Sequence, residues 1–108
     1  MALGASALTA DETLLEALGP IDERAEPARL GLRVMVHQLR NAFAHNPWRP
    51  KWRIYQKYRH EYDVPLITGD FLSFDARKLD GDGVTPEHIG GLESWVKVLQ
   101  YCESILPQ

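Results

Sequence analysis

Apolar and polar residues alternate with a helical rhythm over most of the chain. Between Ala28 and His45 the apolar positions Leu32, Met35, Val36, Leu39, Ala42 and Phe43 recur at intervals of three and four, which lines one side of an amphipathic helix. The opposite side carries Arg33, His37, Arg40, Asn41 and His45. Asn46 precedes Pro47. The proline ring pushes the residue before it out of the α region, so the helix should end near His45. A second pattern of this kind, Leu92, Trp95, Val96, Leu99, Cys102, Ile105 and Leu106, predicts a final helix. Thr85-Pro86 ahead of it supplies a cap and a first-turn proline.

The remaining elements are shorter. Thr9 and Glu12 have the spacing of a capping box, Leu14, Leu15 and Leu18 follow at helical intervals, and Gly19-Pro20 stops the run. Residues 1–8 are small and apolar and read as a disordered start. Ile21 to Glu26 is a polar connection ended by Pro27. Trp48, Trp52, Tyr55, Tyr58 and Tyr62 recur at three and four residues or multiples of them, which suggests a short aromatic-faced helix over 48–62. Phe71 to Leu79 runs into Asp80-Gly81-Asp82-Gly83, and an Asp-Gly turn after such a run predicts a small β-hairpin. The expected fold is mainly α: one domain over residues 1–108, with three to four helices in a small bundle and a short hairpin before the last helix.

Composition narrows the function. No run of about 18 apolar residues is present, which excludes a transmembrane helix. The N-terminus lacks the basic stretch and length of a signal peptide. The single cysteine, Cys102, has no intrachain partner and falls in a helical pattern, so it reads as filler, and the chain is expected to be cytoplasmic. The net charge of −3 conceals an asymmetry. Residues 27–60 hold eight basic side chains (Arg29, Arg33, Arg40, Arg49, Lys51, Arg53, Lys57, Arg59) and no acid, while the remainder holds four basic residues against fifteen acids. Such a segment can attract a polyanion, or it can pair with the acidic remainder. Four histidines without HExxH spacing give no metal site. Asp80 to Gly83 lacks the glycine and glutamate offsets of a calcium loop. No cofactor is expected.

The most informative stretch is Arg40-Asn41-Ala42-Phe43-Ala44-His45, at the end of the central helix. Arginine, a polar residue, three more and histidine is the signature of the HEPN superfamily (higher eukaryotes and prokaryotes nucleotide-binding), and the chain resembles that family over about residues 28–106. The resemblance implies a helical domain with Arg40, Asn41 and His45 as a site for metal-independent RNA cleavage, of the kind found in toxin–antitoxin and other RNA-targeting defence systems. Histidine titrates near working pH and can move the protons of the 2′-hydroxyl and the leaving 5′-oxygen. Arginine offers a permanently charged fork for the phosphate. Asn41 could orient His45 or bond a phosphate or ribose oxygen. His37, Arg49, Lys51, Arg53 and Lys57 are candidate RNA-binding residues, and the aromatics among 48–62 could stack bases.

Five residues along a helix turn it by about 500°, so Arg40 and His45 stand roughly 140° apart. Either the helix unwinds at His45 or a second copy completes the site. HEPN domains commonly dimerise with paired motifs in a shared cleft, so the resemblance implies a homodimer. A competing reading makes Arg40 and His45 complements of the helix dipole. The chain would then be a non-catalytic module that binds a nucleotide, a nucleic acid or a protein partner such as a nucleotidyltransferase-type antitoxin.

Overall fold

The computed structural model describes residues 3–106. Three helices, α1 (Leu3–Leu18), α2 (Pro27–His45) and α3 (Leu92–Ser104), pack with an antiparallel hairpin of β1 (Glu61–Pro65) and β2 (Phe71–Asp75). The chain is thus mainly α, with the hairpin before the last helix. Among the described residues no helix is long and apolar enough to cross a membrane.

The central helix has the predicted extent because a proline brackets each end. Pro27 occupies its first turn, where a missing N–H costs nothing, and Asn46 before Pro47 is extended at φ −153°. Leu32, Met35, Val36, Leu39 and Ala42 are buried, and Phe43 is half-buried. Gly31 lets α2 cross the hairpin closely: a Cβ there would collide with the Asp63 carbonyl. The first helix begins at Leu3, not Thr9, so Thr9 is an internal position and not a cap. Ala7, Ala10 and Leu14 form its buried face, and Ser6 accepts a hydrogen bond from Trp95 Nε1 at 3.0 Å. This packing carries the helix through a stretch expected to be disordered. Met1 and Ala2 of that stretch lie outside the described residues. Gly19, at φ 78°, ends the helix as expected.

Two local expectations are corrected. Residues 48–62 do not form an aromatic-faced helix. They form an extended arm with one 3₁₀ turn at Gln56–Tyr58, because Pro47 and Pro50 deny the N–H groups and backbone angles a helix needs. Trp52, Tyr58 and Tyr62 enter the core from this arm and β1, while Trp48 and Tyr55 stay outside. The hairpin pairs Phe71–Asp75 backwards with Glu61–Pro65, in the register Tyr62↔Phe74 and Val64↔Leu72. Its turn is Leu66 to Asp70, not the Asp80-Gly81 stretch. That stretch instead clamps the arm: Trp52 N–H donates to the Asp82 carbonyl and Gly81 N–H to the Trp52 carbonyl, both at 2.8 Å. Lys51 bridges to Gly83.

Thr85-Pro86 starts only a single 3₁₀ turn, Pro86–Ile89. Gly90 and Gly91, both at positive φ, break the chain before α3 begins at Leu92. The turn positions His88, whose Nδ1 accepts from Trp52 Nε1 at 2.8 Å and from the Thr85 N–H at 3.3 Å. With Nδ1 accepting twice, the ring proton belongs on Nε2. The buried face of α3 is Trp95, Val98 and Cys102, while Leu92 and Val96 reach the surface. Burial pushes the Cys102 thiol up to about 11.

Candidate functional site

A straight helix sorts its side chains by angle, and α2 carries two polar stripes. Arg33, His37 and Arg40 lie at i, i+4 and i+7 on one. Gln38, Asn41 and His45 lie at i, i+3 and i+7 on the other. The first stripe faces α1, where Asp11 is buried against it. The Arg33 guanidinium donates to Asp11 Oδ1 at 3.1 Å, His37 Nδ1 lies 3.1 Å from both carboxylate oxygens, and Arg40 Nε stands 4.0 Å away. Burial of Asp11 works against its ionised form. The hydrogen bond and charge of His37, then those of Arg33, outweigh it and hold the carboxyl below its ordinary value. One acid thus anchors Arg33 and His37 of the next helix, with Arg40 at the edge of its reach.

Gln38 of the second stripe is fully buried, while Asn41 and His45 open onto a cavity of about 630 Å³. Asn41 and His45 form one wall, the arm from Lys51 to Gln56 another, and Arg59, Asp80 and Gly81 the rest. Asp80 is engaged at both oxygens: Oδ1 accepts the Ile54 N–H at 2.8 Å and Oδ2 pairs with Arg59 at 3.1 Å. Arg59 Nε also donates to the Ile54 carbonyl at 3.0 Å. Among the described residues Lys51 and Arg53 have no carboxylate partner, so the cavity's free charge is positive. His45 is exposed, and the helix remains continuous through it.

Arg40 is placed differently from its motif partners. It does not line the cavity. Its guanidinium donates to Asn41 Oδ1 at 3.1 Å, which occupies the amide oxygen and leaves the Asn41 NH₂ group to donate elsewhere. That bond is a direct link between the two stripes. His37 belongs to the Asp11 cluster. Lys57 pairs with Glu23 at 3.8 Å and sits 5.0 Å over the Tyr58 ring, beside a separate cavity of about 410 Å³. Arg49 is exposed on the turn after α2, where Asn46 Oδ1 accepts the N–H groups of Trp48 and Arg49, each at 3.1 Å.

Sequence reasoning missed Asp11 and the Arg59–Asp80 pair. The signal for Asp11 was present: a basic stripe at i, i+4 and i+7 in a segment without acids needs a carboxylate from a neighbouring element. Among the described residues no three His, Cys, Asp or Glu side chains gather as metal ligands. No family model matches the chain, and neither does any curated protein or solved structure.

Proposed function

We propose that this chain is a metal-independent endoribonuclease of HEPN-like type, acting at the cavity lined by Asn41 and His45. The observation that carries this reading is the convergence, in one open cavity, of those two motif residues with the unpaired cations Lys51 and Arg53. The ribose 2′-oxygen attacks the adjacent phosphorus, and the bond to the 5′-oxygen breaks. His45 takes the 2′-proton or supplies the proton to the leaving oxygen. Lys51, Arg53 and the Asn41 amide meet the charge that builds on the phosphate. In the free protein Arg40 stands one layer back, fixing Asn41, and it turns to the phosphate when RNA is bound. One imidazole serves one proton transfer, so a second copy of the chain in a symmetric homodimer supplies the other.

The test is purified protein with mixed-sequence single-stranded RNA in excess EDTA. The expected products carry 2′,3′-cyclic phosphate ends, and DNA, lacking the 2′-hydroxyl, stays intact. His45→Ala should cost about 10²–10⁴-fold, the usual range for a general acid or base. Arg40→Ala should also abolish cleavage, and Arg40→Lys should recover little, because an ammonium cannot reproduce the planar fork. Mixing wild-type with excess His45→Ala protein should lower activity more than dilution does, because a mixed dimer holds only one of the two imidazoles. RNA left intact by the wild-type protein removes this reading.

A second reading has its own support. Arg40 is engaged by Asn41 and stands near Asp11, away from the cavity lining, as suits a module that binds RNA, or a protein partner such as a nucleotidyltransferase-type antitoxin, without cleaving. RNA binding that weakens with salt while no product forms would select it.

A further inference from the structure

Of the three tryptophans, Trp52 and Trp95 are fully buried, while Trp48 is 90% exposed. Tyr55, on the wall of the cavity, is 67% exposed. A single exposed aromatic residue needs no explanation on its own. These two stand in specific company. Asn46 Oδ1 fixes the backbone on which Trp48 and Arg49 project, through hydrogen bonds of 3.1 Å to both N–H groups. The Lys51–Gly83 bridge and the Trp52–Asp82 hydrogen bond pin the arm that carries Tyr55. In sequence between the two aromatics stand Arg49, Lys51 and Arg53, three cations with no carboxylate partner among the described residues.

We propose that Trp48 and Tyr55 are a stacking shelf for unpaired bases, and that the arm between them tracks the phosphates of a single strand. The inference rests on the RNA reading for its cavity and adds the strand form that the surface takes. A base exposes its face to a protein ring only when it has left a helix, so exposed rings flanking a run of cations select single strands over duplexes. Trp48 is three residues from His45, a span of at most about 11 Å. Stacked bases of one strand lie about 3.4 Å apart. A base on Trp48 therefore sits only a few nucleotides from the phosphate at His45. Stacking uses no 2′-hydroxyl, so single-stranded DNA should occupy the shelf without being cut.

The protein supplies its own reporter, because Trp48 is the one tryptophan that a neutral quencher reaches. Acrylamide quenching is measured while the intact chain is titrated with a 2′-O-methyl RNA of about 12 nucleotides, which binds but cannot be cleaved. Binding is followed separately by the anisotropy of an end-labelled strand. Expected is protection of Trp48 by this strand and by single-stranded DNA, and none by the corresponding duplex. Trp48→Ala and Tyr55→Ala should each weaken binding by about 5- to 140-fold, and Trp48→Phe should restore most of the loss. Saturation of the strand with Trp48 still fully quenchable overturns the proposal, as does equal affinity of wild type and Trp48→Ala. Loss of quenching with protein concentration alone would assign Trp48 to self-association and overturn it too. Because the probe cannot be cleaved, an inactive His45 site leaves these outcomes readable, and cleavage unaffected by Trp48→Ala refutes the shelf alone.

Discussion

Replacing Asp11 by alanine strands Arg33, the most deeply buried charge among the described residues. The Asp11 and Arg33 side chains are 12% and 5% exposed and meet at 3.1 Å, so Arg33 in the variant keeps its charge without a counterion. Arg33 Nε already lacks a partner, which leaves little to compensate. Removing one member of a buried pair costs about 3–5 kcal/mol, a large share of the roughly 5–15 kcal/mol that holds a domain together. Arg40, 4.0 Å away with a side chain 38% exposed, adds little. Asp11→Asn should lose less, because its amide oxygen still accepts from Arg33. Asp11→Ala/Arg33→Met should recover much of the loss, since removing both partners leaves no orphaned charge. Urea unfolding followed by circular dichroism reads all three. A loss below about 1 kcal/mol in Asp11→Ala, or no recovery in the double variant, would refute this account. The pH dependence has a definite sign. The folded carboxyl titrates below its ordinary value, so its contribution is complete above the unfolded-state pKa of about 3.9 and is lost as pH falls through the lower folded value. The acid limb of the stability curve below about pH 4 should be shallower in Asp11→Ala.

Two further perturbations test the core. Gln38 is 0% exposed and both amide atoms lack partners, so Gln38→Met should stabilise the fold by about 1–3 kcal/mol in the same urea experiment; a loss would mean that the amide is bonded. Desolvation raises the Cys102 thiol to about 11, so at pH 8 only about one thiol in a thousand is ionised, and a disulfide reagent should label it slowly until urea is added. Rapid stoichiometric labelling of the native protein would contradict the burial.

What could be read from the sequence was local. The central helix was legible because its apolar period is long and Pro27 and Pro47 punctuate it at both ends. The start of α1 was not. Ala7 and Ala10 look like filler until they pack, and Ser6 meets a tryptophan 89 residues away. The arm was misread because its rings have helical spacing, although Pro47 and Pro50 argued otherwise. Taking residues 48–62 as helix then hid the first strand, so the hairpin was assigned to the wrong turn. Within the site, His45 and Asn41 were found with Lys51 and Arg53 at one cavity. The destination of Arg40 depended on Asp11; the acid-free basic stripe of α2 called for a carboxylate, but nothing in the sequence said which one.

That division bears on how the motif works. Read as a string, Arg40, Asn41 and His45 are one unit, but a continuous helix assigns Arg40 to the α1-facing stripe and His45 to the cavity. The two stripes communicate through the hydrogen bond from Arg40 to Asn41 Oδ1. Arg40 is itself held loosely, 4.0 Å from Asp11 and partly exposed, so the arrangement is not fixed by burial as the Arg33–Asp11 pair is. On the proposed reading, an RNA phosphate entering the cavity competes with Asn41 Oδ1 for the same guanidinium, and its anionic oxygens are the stronger acceptors. Turning Arg40 towards it would forfeit one neutral hydrogen bond and a long, solvent-screened ion pair, each a small loss. On that proposal the balance favours a guanidinium that stabilises Asn41 in the free protein and turns to the phosphate in the occupied one, with no unwinding of α2.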